Sequence, residues 1–243
     1  CMKVDMFFNG GVGTYVKASD ENNAEIGDKP NEAVRINANE LKALVVCEGG
    51  NLGLTQKARI EYAKLGGKIN MDSIDNSAGV NTSDMEVNLK IILNALVSKE
   101  SISEENRLEL LNSMIPNVEK SVLWTNYFQA LSISLDEERS RVDMKKFMQT
   151  INVLDDHVEN FNRYDFDIPN GDEIHQIIGK NGALIRPILS TLTSYTKIFV
   201  KTLLIEEHNF IASEYAMNYL YSYFPKTFTT IYKNEIEKHP LRY

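Results

Sequence analysis

The fold is decided by residues 43–51, whose sequence is Ala-Leu-Val-Val-Cys-Glu-Gly-Gly-Asn. The apolar run that opens this stretch is typical of a parallel strand buried on both faces, and the Gly-Gly-Asn at its end indicates a tight loop. Residues 55–65 place apolar side chains at helical spacing, and Gly66-Gly67 ends that helix. Residues 68–71 resemble a short second strand. A strand, a helix and a strand in this order predict a right-handed βαβ unit.

Two more loops have the same glycine- and amide-rich character. Asn9-Gly10-Gly11 follows the apolar run of residues 6–8, and residues 75–80 (Asp-Asn-Ser-Ala-Gly-Val) precede a helical pattern. An open α/β sheet binds its ligand at the carboxyl ends of its strands, where glycines let a ring or a ribose approach the backbone and asparagine amides both donate and accept. A tight turn explains any one of these loops alone. The three together predict a nucleotide-type binding edge.

Ser83 admits two interpretations. It lies where we expect the helix after the third loop to begin, with Glu86 in capping-box register. As the N-cap residue, its hydroxyl would accept a hydrogen bond from a backbone N–H. Alternatively, the hydroxyl and the start of the helix would face an anionic substrate.

The character of the chain changes near residue 98. Beyond it, strand signals thin out and helical patterns separated by polar breaks dominate. We therefore predict the α/β class, with part of a Rossmann-like parallel sheet domain in residues 1–97 and an all-helical region in residues 98–243. The helices predicted in that region cover residues 103–114, 118–131 and 145–158, a segment opening at Arg186-Pro187, residues 213–224, and a last segment from about residue 229.

Composition narrows the function classes. The 243 residues carry a formal net charge of −8, which argues against general binding to nucleic acids or anionic membranes, since both need a basic surface. Two cysteines cannot build a disulfide scaffold or a structural zinc site, and we expect no metal site. No run approaches the roughly 18–20 apolar residues of a membrane span and no signal segment opens the chain, so we expect a cytoplasmic protein.

Because the chain begins with Cys1 and residues 6–8 already resemble a central strand, we expect this sequence to be a segment of a longer protein.

One local motif points to a different function. Gly179-Lys180-Asn181-Gly182, flanked by isoleucines, resembles the Gly-X-X-Gly turn with which KH modules grip RNA between two helices. Residues 161–205 contain five Lys/Arg and four Asp/Glu, whereas an RNA surface would be basic. The alternative is an interhelical turn whose glycines break and restart a helix.

Residues 8–18 (FNGGVGTYVKA), 47–53 (CEGGNLG) and 75–88 (DNSAGVNTSDMEVN) together resemble the large NAD-specific glutamate dehydrogenases of bacteria. The match is dense over residues 4–96. It continues more loosely through Arg186-Pro187 and residues 195–198 to residues 223–225, in the C-terminal helical region of that family.

The resemblance implies roles for the loop residues. Asn51 would face the ribose of an NAD cofactor, with Gly49 and Gly50 letting it approach, and Asn76 would lie near the nicotinamide and its ribose. Ser83 would bind a carboxylate of the substrate, L-glutamate in one direction and 2-oxoglutarate in the other. On the adenosine side of the cofactor, the resemblance places Asn9 and Gly10.

Some parts of such an enzyme are missing from this sequence. There is no Gly-X-Gly-X-X-Gly turn after a strand, and the catalytic lysines and aspartate of the family belong to segments upstream, so we assign no catalytic residue. Glu48 is expected to brace its loop rather than to act as a base. The resemblance implies oxidative deamination carried out together with the remainder of the catalytic domain, within a homo-oligomer. We expect the segment alone to be inactive.

Overall fold

The computed structural model describes residues 2–240, which fall into two compact units. The first unit comprises residues 2–76 and 127–199, and the second comprises residues 77–126 and 200–240. Cys1, on which part of the expectation of a longer protein depended, lies outside the described residues. Because the two units interleave along the chain, they follow a different division from residues 1–97 and 98–243, and that functional division stays a prediction.

Short parallel strand pairs form the sheet structure of the first unit. The strands are β1 (Met6–Asn9), β2 (Val16–Lys17), β3 (Ile36–Asn37) and β4 (Val45–Glu48). β1 pairs in parallel with β4, with Met6 opposite Val45 and Asn9 opposite Glu48, and β2 pairs in parallel with β3. The strand predicted at residues 68–71 is reduced to a single parallel bridge between Lys68 and Val45. The chain therefore combines small parallel sheets with many helices, in agreement with the α/β class at that coarse level.

Helices make up most of the remaining structure. They are α1 (Asn23–Ile26), α2 (Gln56–Lys64), α3 (Asp72–Asp75), α4 (Ser77–Ser98), α5 (Glu104–Val142), α6 (Met144–His157), α7 (Arg186–Glu206), α8 (His208–Ile211), α9 (Glu214–Tyr223), α10 (Lys226–Ile231) and α11 (Lys233–Glu237). Short 3₁₀ segments cover Lys29–Val34, Ala38–Glu40, Arg163–Phe166 and Gly171–Ile177.

Helix α2 begins and ends as the sequence predicts. The side chain of Thr55 accepts a hydrogen bond from the backbone N–H of Ala58, which caps the N-terminus. After the last turn, Gly66 adopts a φ of 106°, a left-handed conformation that favours glycine. Tyr62 packs in the core with Val46 of β4 and donates to the carbonyl of Ala43. The helix is thereby fixed against β4.

Three sequence predictions are wrong in detail. Helix α4 begins at Ser77, so Ser83 lies inside the helix and is not its N-cap; only Asn76 separates α3 from α4, because Ser-Ala-Gly is compatible with helical backbone. Helix α5 runs unbroken through Pro116, where two helices were predicted. Strand β4 is buried on one face only, since Val46 is 2% exposed while the adjacent Val45, on the opposite face, is 36% exposed.

The C-terminal segment also differs from its prediction. A single helix from about residue 229 was expected, and the structure has α10 and α11, with Tyr232 between them. Phe228 of α10 and Ile236 of α11 are both buried in the core of the second unit. Both short helices therefore contribute to the same core.

Helix α7 is long and apolar enough to cross a membrane by length and composition, although the sequence suggested no such run. This is weak evidence, because the core helix of a soluble protein satisfies the same criteria. Pro187 and the five residues after it are buried in the first unit. The helix thus supplies part of the core there.

Candidate functional site

The first two predicted loops meet at one edge of the sheet. Because β1 and β4 are parallel, their carboxyl ends lie side by side, and the N–H groups of Gly49 and Gly50 donate to the carbonyl of Asn9 at 2.9 and 3.1 Å. Gly50 also passes so close to Gly11 that a Cβ built on it would lie 2.2 Å from the Gly11 carbonyl oxygen. Glycine at position 50 is therefore required by the packing of one loop on the other.

Asn76 joins the third predicted segment to the second loop. Its Nδ2 donates to the carbonyl of Gly50 at 2.8 Å and to Oδ1 of Asn51 at 2.6 Å. A backbone hydrogen bond from Asn76 to Asp72 ends α3 and fixes the residue directly in front of α4. The structure thus brings together six of the residues singled out by the sequence, namely Asn9, Gly10, Gly49, Gly50, Asn51 and Asn76.

These six residues differ in exposure. Gly10, Gly49 and Asn51 are exposed, whereas the side chain of Asn9 is buried, with a residue exposure of 6%. The Nδ2 of Asn9 points at Gly53, where a Cβ would lie 2.0 Å away, and has no hydrogen-bond partner among the described residues. A buried donor without a partner costs about 1–3 kcal/mol. The edge therefore offers open backbone and amide groups at its surface and an unsatisfied amide beneath it.

This chemistry fits one part of an NAD molecule. Ribose hydroxyls donate and accept hydrogen bonds, as do the amide of Asn51 and the exposed backbone of Gly10. The N–H of Gly49 already donates to Asn9, so Gly49 can only accept. The nicotinamide carboxamide has the same dual capacity. The residues present therefore match the ribose and nicotinamide groups.

Glu48 is fully buried and braces its loop, as predicted. Arg59 of α2 donates to its two oxygens from Nε and Nη2, at 2.9 and 3.0 Å, and is itself 3% exposed. Burial raises the pKa of Glu48 above its ordinary value, and the Arg59 guanidinium opposes that rise. Because both oxygens are bound to Arg59, this carboxylate has a structural role and is not placed to take a proton from a substrate.

Two charged residues that the sequence reasoning missed complete this arrangement. Arg59 also lies 3.5 Å from Asp72, whose Oδ2 accepts the N–H of Leu52 at 2.8 Å. Leu52 has a positive φ of 58°, so the hydrogen bond supports a strained turn in the second loop. The available signal was an arginine between Ala58 and Tyr62, on the apolar face of α2.

Asp75 connects the start of the second loop to the end of α3. Its Oδ2 accepts the N–H of Glu48 at 3.1 Å, and its Oδ1 accepts Nδ2 of Asn70 at 2.8 Å. Burial raises the pKa of the neighbouring Cys47 thiol to about 11, with a further contribution from the Asp75 charge. A thiol protonated at neutral pH is a poor nucleophile, so this position favours a structural role for Cys47.

Ser83 differs from the other predicted residues. It lies in α4, in the second unit, and its side chain is exposed. Next to it, Asp84 accepts a hydrogen bond from the hydroxyl of Tyr223 at 2.6 Å, and burial raises the pKa of that tyrosine. The structure therefore shows an exposed helical serine, which is not needed to cap the helix.

The KH-like motif forms a tight turn between the 3₁₀ segment Gly171–Ile177 and α7. Ile178 and Leu184 form an antiparallel bridge across it, and the N–H of Gly179 donates to the carbonyl of Ala183 at 2.8 Å. Lys180 donates to the Leu65 carbonyl at 2.6 Å, and Asn181 donates to Glu137 at 2.8 Å. In a KH module the Gly-X-X-Gly turn clamps the RNA backbone, whereas here Lys180 and Asn181 hydrogen-bond to other parts of the chain and an antiparallel bridge closes the turn. Residues 2–240 also contain no group of three acidic, histidine or cysteine side chains suited to a metal ion.

Known proteins that share one name are similar to this chain over most of its length. An NAD-specific glutamate dehydrogenase of Halomonas elongata is 39% identical over 99% of this chain and 15% of its own length. Proteins with the same name from Pseudomonas aeruginosa and Mycobacterium tuberculosis are 41% and 36% identical over 84% and 98% of the chain. The chain spans 12 to 15% of the length of these curated relatives.

Two family descriptions match separate parts of the sequence. Residues 181–243 match the family described as glutamate dehydrogenase, C-terminal, and residues 1–136 match the family described as bacterial NAD-glutamate dehydrogenase, catalytic domain. The second match covers more than half of the chain and includes all seven predicted site residues. The chain belongs to the family of bacterial NAD-glutamate dehydrogenase catalytic domains.

Proposed function

We propose that this chain forms part of the NAD site of a glutamate dehydrogenase that converts L-glutamate to 2-oxoglutarate and ammonia. The observation that carries the proposal is the meeting of the β1 and β4 loops at one sheet edge, where Asn76 bridges Gly50 and Asn51. NAD, when bound, supplies the acceptor for the hydride of the substrate. The relatives named NAD-specific glutamate dehydrogenase support the choice of cofactor and reaction.

The edge residues divide the binding between them. In this proposal, Asn51 and Asn76 hydrogen-bond the ribose and carboxamide on the nicotinamide side, where Gly49 and Gly50 leave room for the ribose to approach. Gly10 lies on the adenosine side. Asn9 supports the edge from below through the Gly49 and Gly50 amides. The positions of these groups, and not a base or a nucleophile, are the contribution of this segment.

The remainder of the enzyme would supply the parts of the active site that this segment lacks. We propose that β1 and β4 belong to a Rossmann-like sheet completed by the remainder of the catalytic domain, which also provides the catalytic groups. The enzyme acts in the cytoplasm as a homo-oligomer, and Ser83 binds a carboxylate of glutamate. The segment alone is inactive in this account.

Kinetics of the whole enzyme that carries this chain test the proposal. Removing one amide from the edge, by Asn51→Ala or Asn76→Ala, should raise the KM for NAD about tenfold, the factor that corresponds to about 1.4 kcal/mol of lost binding. The control is Asn39→Ala, which removes an exposed amide from a 3₁₀ segment away from the edge. Failure of the parent enzyme to reduce NAD with glutamate, or an unchanged KM in both edge variants, would overturn the proposal.

A separate variant tests the proposed substrate contact. Ser83→Ala should raise the KM for glutamate about tenfold to a hundredfold, since a hydrogen bond to a charged group contributes about 1.5–3 kcal/mol, and should leave the KM for NAD unchanged. Exposed Ser113, which donates to a carbonyl within its own helix α5, provides the matched control as Ser113→Ala. Equal effects on both substrates would assign Ser83 a structural role instead.

A further inference from the structure

A chain of hydrogen bonds runs from the first residue of α7 to the candidate edge. Arg186 Nε donates to Oδ1 of Asn70 at 3.0 Å, and Nδ2 of Asn70 donates to Oδ1 of Asp75 at 2.8 Å. The other oxygen of Asp75 accepts the N–H of Glu48 at 3.1 Å, at the start of the second loop. The next residue after Asp75 is Asn76, whose amide holds Gly50 and Asn51. Residues more than a hundred positions apart in sequence are thus connected within the first unit.

The donor-to-acceptor direction of these hydrogen bonds is fixed at both ends of the series. A guanidinium can only donate, so it requires the carbonyl oxygen of the Asn70 amide to face Arg186. The NH₂ of Asn70 must then face Asp75, whose carboxylate can only accept when ionised. Without Arg186, the Asn70 amide would be held only at its NH₂ end, so the Asn70 side chain and the Asp75 carboxylate bound to it would be positioned less firmly.

Arg186 is itself held in place by groups on α5. Its Nη1 donates to Ser134 Oγ at 2.9 Å and to Oε2 of Glu137 at 3.2 Å. The Arg186 side chain is 17% exposed, so the ion pair with Glu137 is shielded from much of the solvent. An arginine with several simultaneous partners has little freedom to move. It can therefore act as a rigid reference point for Asn70.

We infer that Arg186 is a positioning residue for the NAD edge, acting through Asn70 and Asp75 on the second loop and on Asn76. The inference depends on the proposed function, because it assigns Arg186 to the binding of NAD and not to the chemical step. Arg186 touches neither loop directly. Its loss should loosen the loop and weaken NAD binding while the rate at saturating NAD stays close to that of the parent, the pattern expected when only uniform binding is lost.

The test combines two readouts on the whole enzyme. In the NAD-free enzyme, Arg186→Met should speed amide hydrogen exchange about tenfold in the peptide covering residues 45–54, because local opening becomes easier. The same variant should raise the Kd for NADH about tenfold, a change typical of the loss of one coupled contact. Arg186→Lys, which keeps a donor, should give a smaller change in both and guards against an effect of misfolding.

The first unit offers a closely matched control. Arg163 is also buried, and it donates to Asp155 at 2.8 Å and to the amide oxygen of Asn152 at 2.6 Å, but these partners lie in α6. Arg163→Met should lower the stability of the protein. It should leave both the amide exchange of residues 45–54 and the Kd for NADH unchanged. If it alters them as much as Arg186→Met does, Arg186 has only a general structural role and the inference fails.

A double substitution tests the path through Asn70. Asn70→Ala removes the middle of the connection, so adding Arg186→Met should raise the NADH Kd no further, whereas independent effects would multiply. Unchanged exchange in Arg186→Met would overturn the inference whether or not the enzyme uses NAD. Faster exchange with an unchanged NADH Kd would overturn it too, and a parent enzyme that does not bind NADH would instead overturn the proposed function.

Discussion

The candidate edge of the first unit and the core of the second unit are stabilised by different forces. The edge is held by a buried ion pair, by carboxylates that accept backbone N–H groups and by asparagine amides. The second core consists of aliphatic and aromatic side chains from α4, α5 and the last helices, with Leu93 fully buried at its centre. Polar contacts are directional and apolar contacts are not. A single substitution at the edge should therefore disturb geometry and function, while one in the second core should mainly lower stability.

The largest effect is expected at the buried ion pair. Arg59→Met leaves the fully buried Glu48 carboxylate without its partner, and breaking a buried pair in this way costs about 3–5 kcal/mol of unfolding free energy. Chemical denaturation measures that loss, and the KM for NAD should rise in the same variant. Arg141→Met, which breaks an exposed pair with Glu138, serves as the control and should change neither quantity. Equal effects in the two variants would contradict the distinction between buried and exposed pairs.

A cavity in the second core should cost nearly as much stability without affecting NAD. Leu93→Ala removes a side chain that is 0% exposed, for which about 2–5 kcal/mol is expected. Denaturation and the KM for NAD, measured on the same preparation below its unfolding temperature, separate the two consequences. A large rise in KM for this variant would show that the second core also controls the edge.

Replacing one glycine in each unit by alanine should change the free energy of unfolding in opposite directions. Gly50→Ala forces a Cβ to within 2.2 Å of the Gly11 carbonyl oxygen, so the two loops must separate and NAD binding should fall. Gly79→Ala places a Cβ in open space within α4, where alanine is favoured over glycine by about 1 kcal/mol. Unfolding experiments should show destabilisation in the first variant and stabilisation in the second. If Gly50→Ala proves as stable as the parent, the close approach of the loops is not present in solution.

The last prediction concerns the reactivity of the Cys47 thiol, which can be measured with the smallest disturbance of the fold. Because burial raises the pKa of its thiol to about 11, alkylation by iodoacetamide at pH 8 should be roughly a hundredfold slower than for an exposed thiol of ordinary pKa. The rate should rise with pH up to about 11, where the thiol ionises. A Cys1→Ser variant removes the other cysteine from the measurement. Rapid labelling at pH 8 would contradict a protonated Cys47 at the end of β4.

Local signals predicted much of the fold. The apolar runs before Asn9 and Glu48 predicted β1 and β4, and the helical spacing of residues 55–65 with the glycines after them predicted the bounds of α2. Helices α6, α7 and α9 also lie within a residue or two of their predicted ranges or starts. Each of these features depends on residues close together in sequence.

The features that sequence did not predict depend on distant residues. Arg59 is part of the site because it forms ion pairs with Glu48 and Asp72. Its position in the helical pattern does not predict either of these partners. Two helices, 103–114 and 118–131, were predicted where α5 is continuous. Met114 and Val118, on either side of Pro116, are both buried in the second core, which favours continuation of the helix over the local cost of proline. The position of Ser83 inside α4 likewise followed from where the helix begins, six residues earlier at Ser77. Its role as a substrate contact stays a prediction.

The central claim is that the carboxyl edge of β1 and β4 binds NAD. An experimental structure of the whole enzyme with NADH bound, by crystallography or cryo-electron microscopy, tests it most directly. The account predicts that the nicotinamide ribose lies within hydrogen-bonding distance of Asn51 or Asn76, with the dinucleotide passing over Gly10 and Gly49. NADH bound elsewhere, with the Asn76 amide still donating to Gly50 and Asn51 and no ligand atom at the edge, would contradict it.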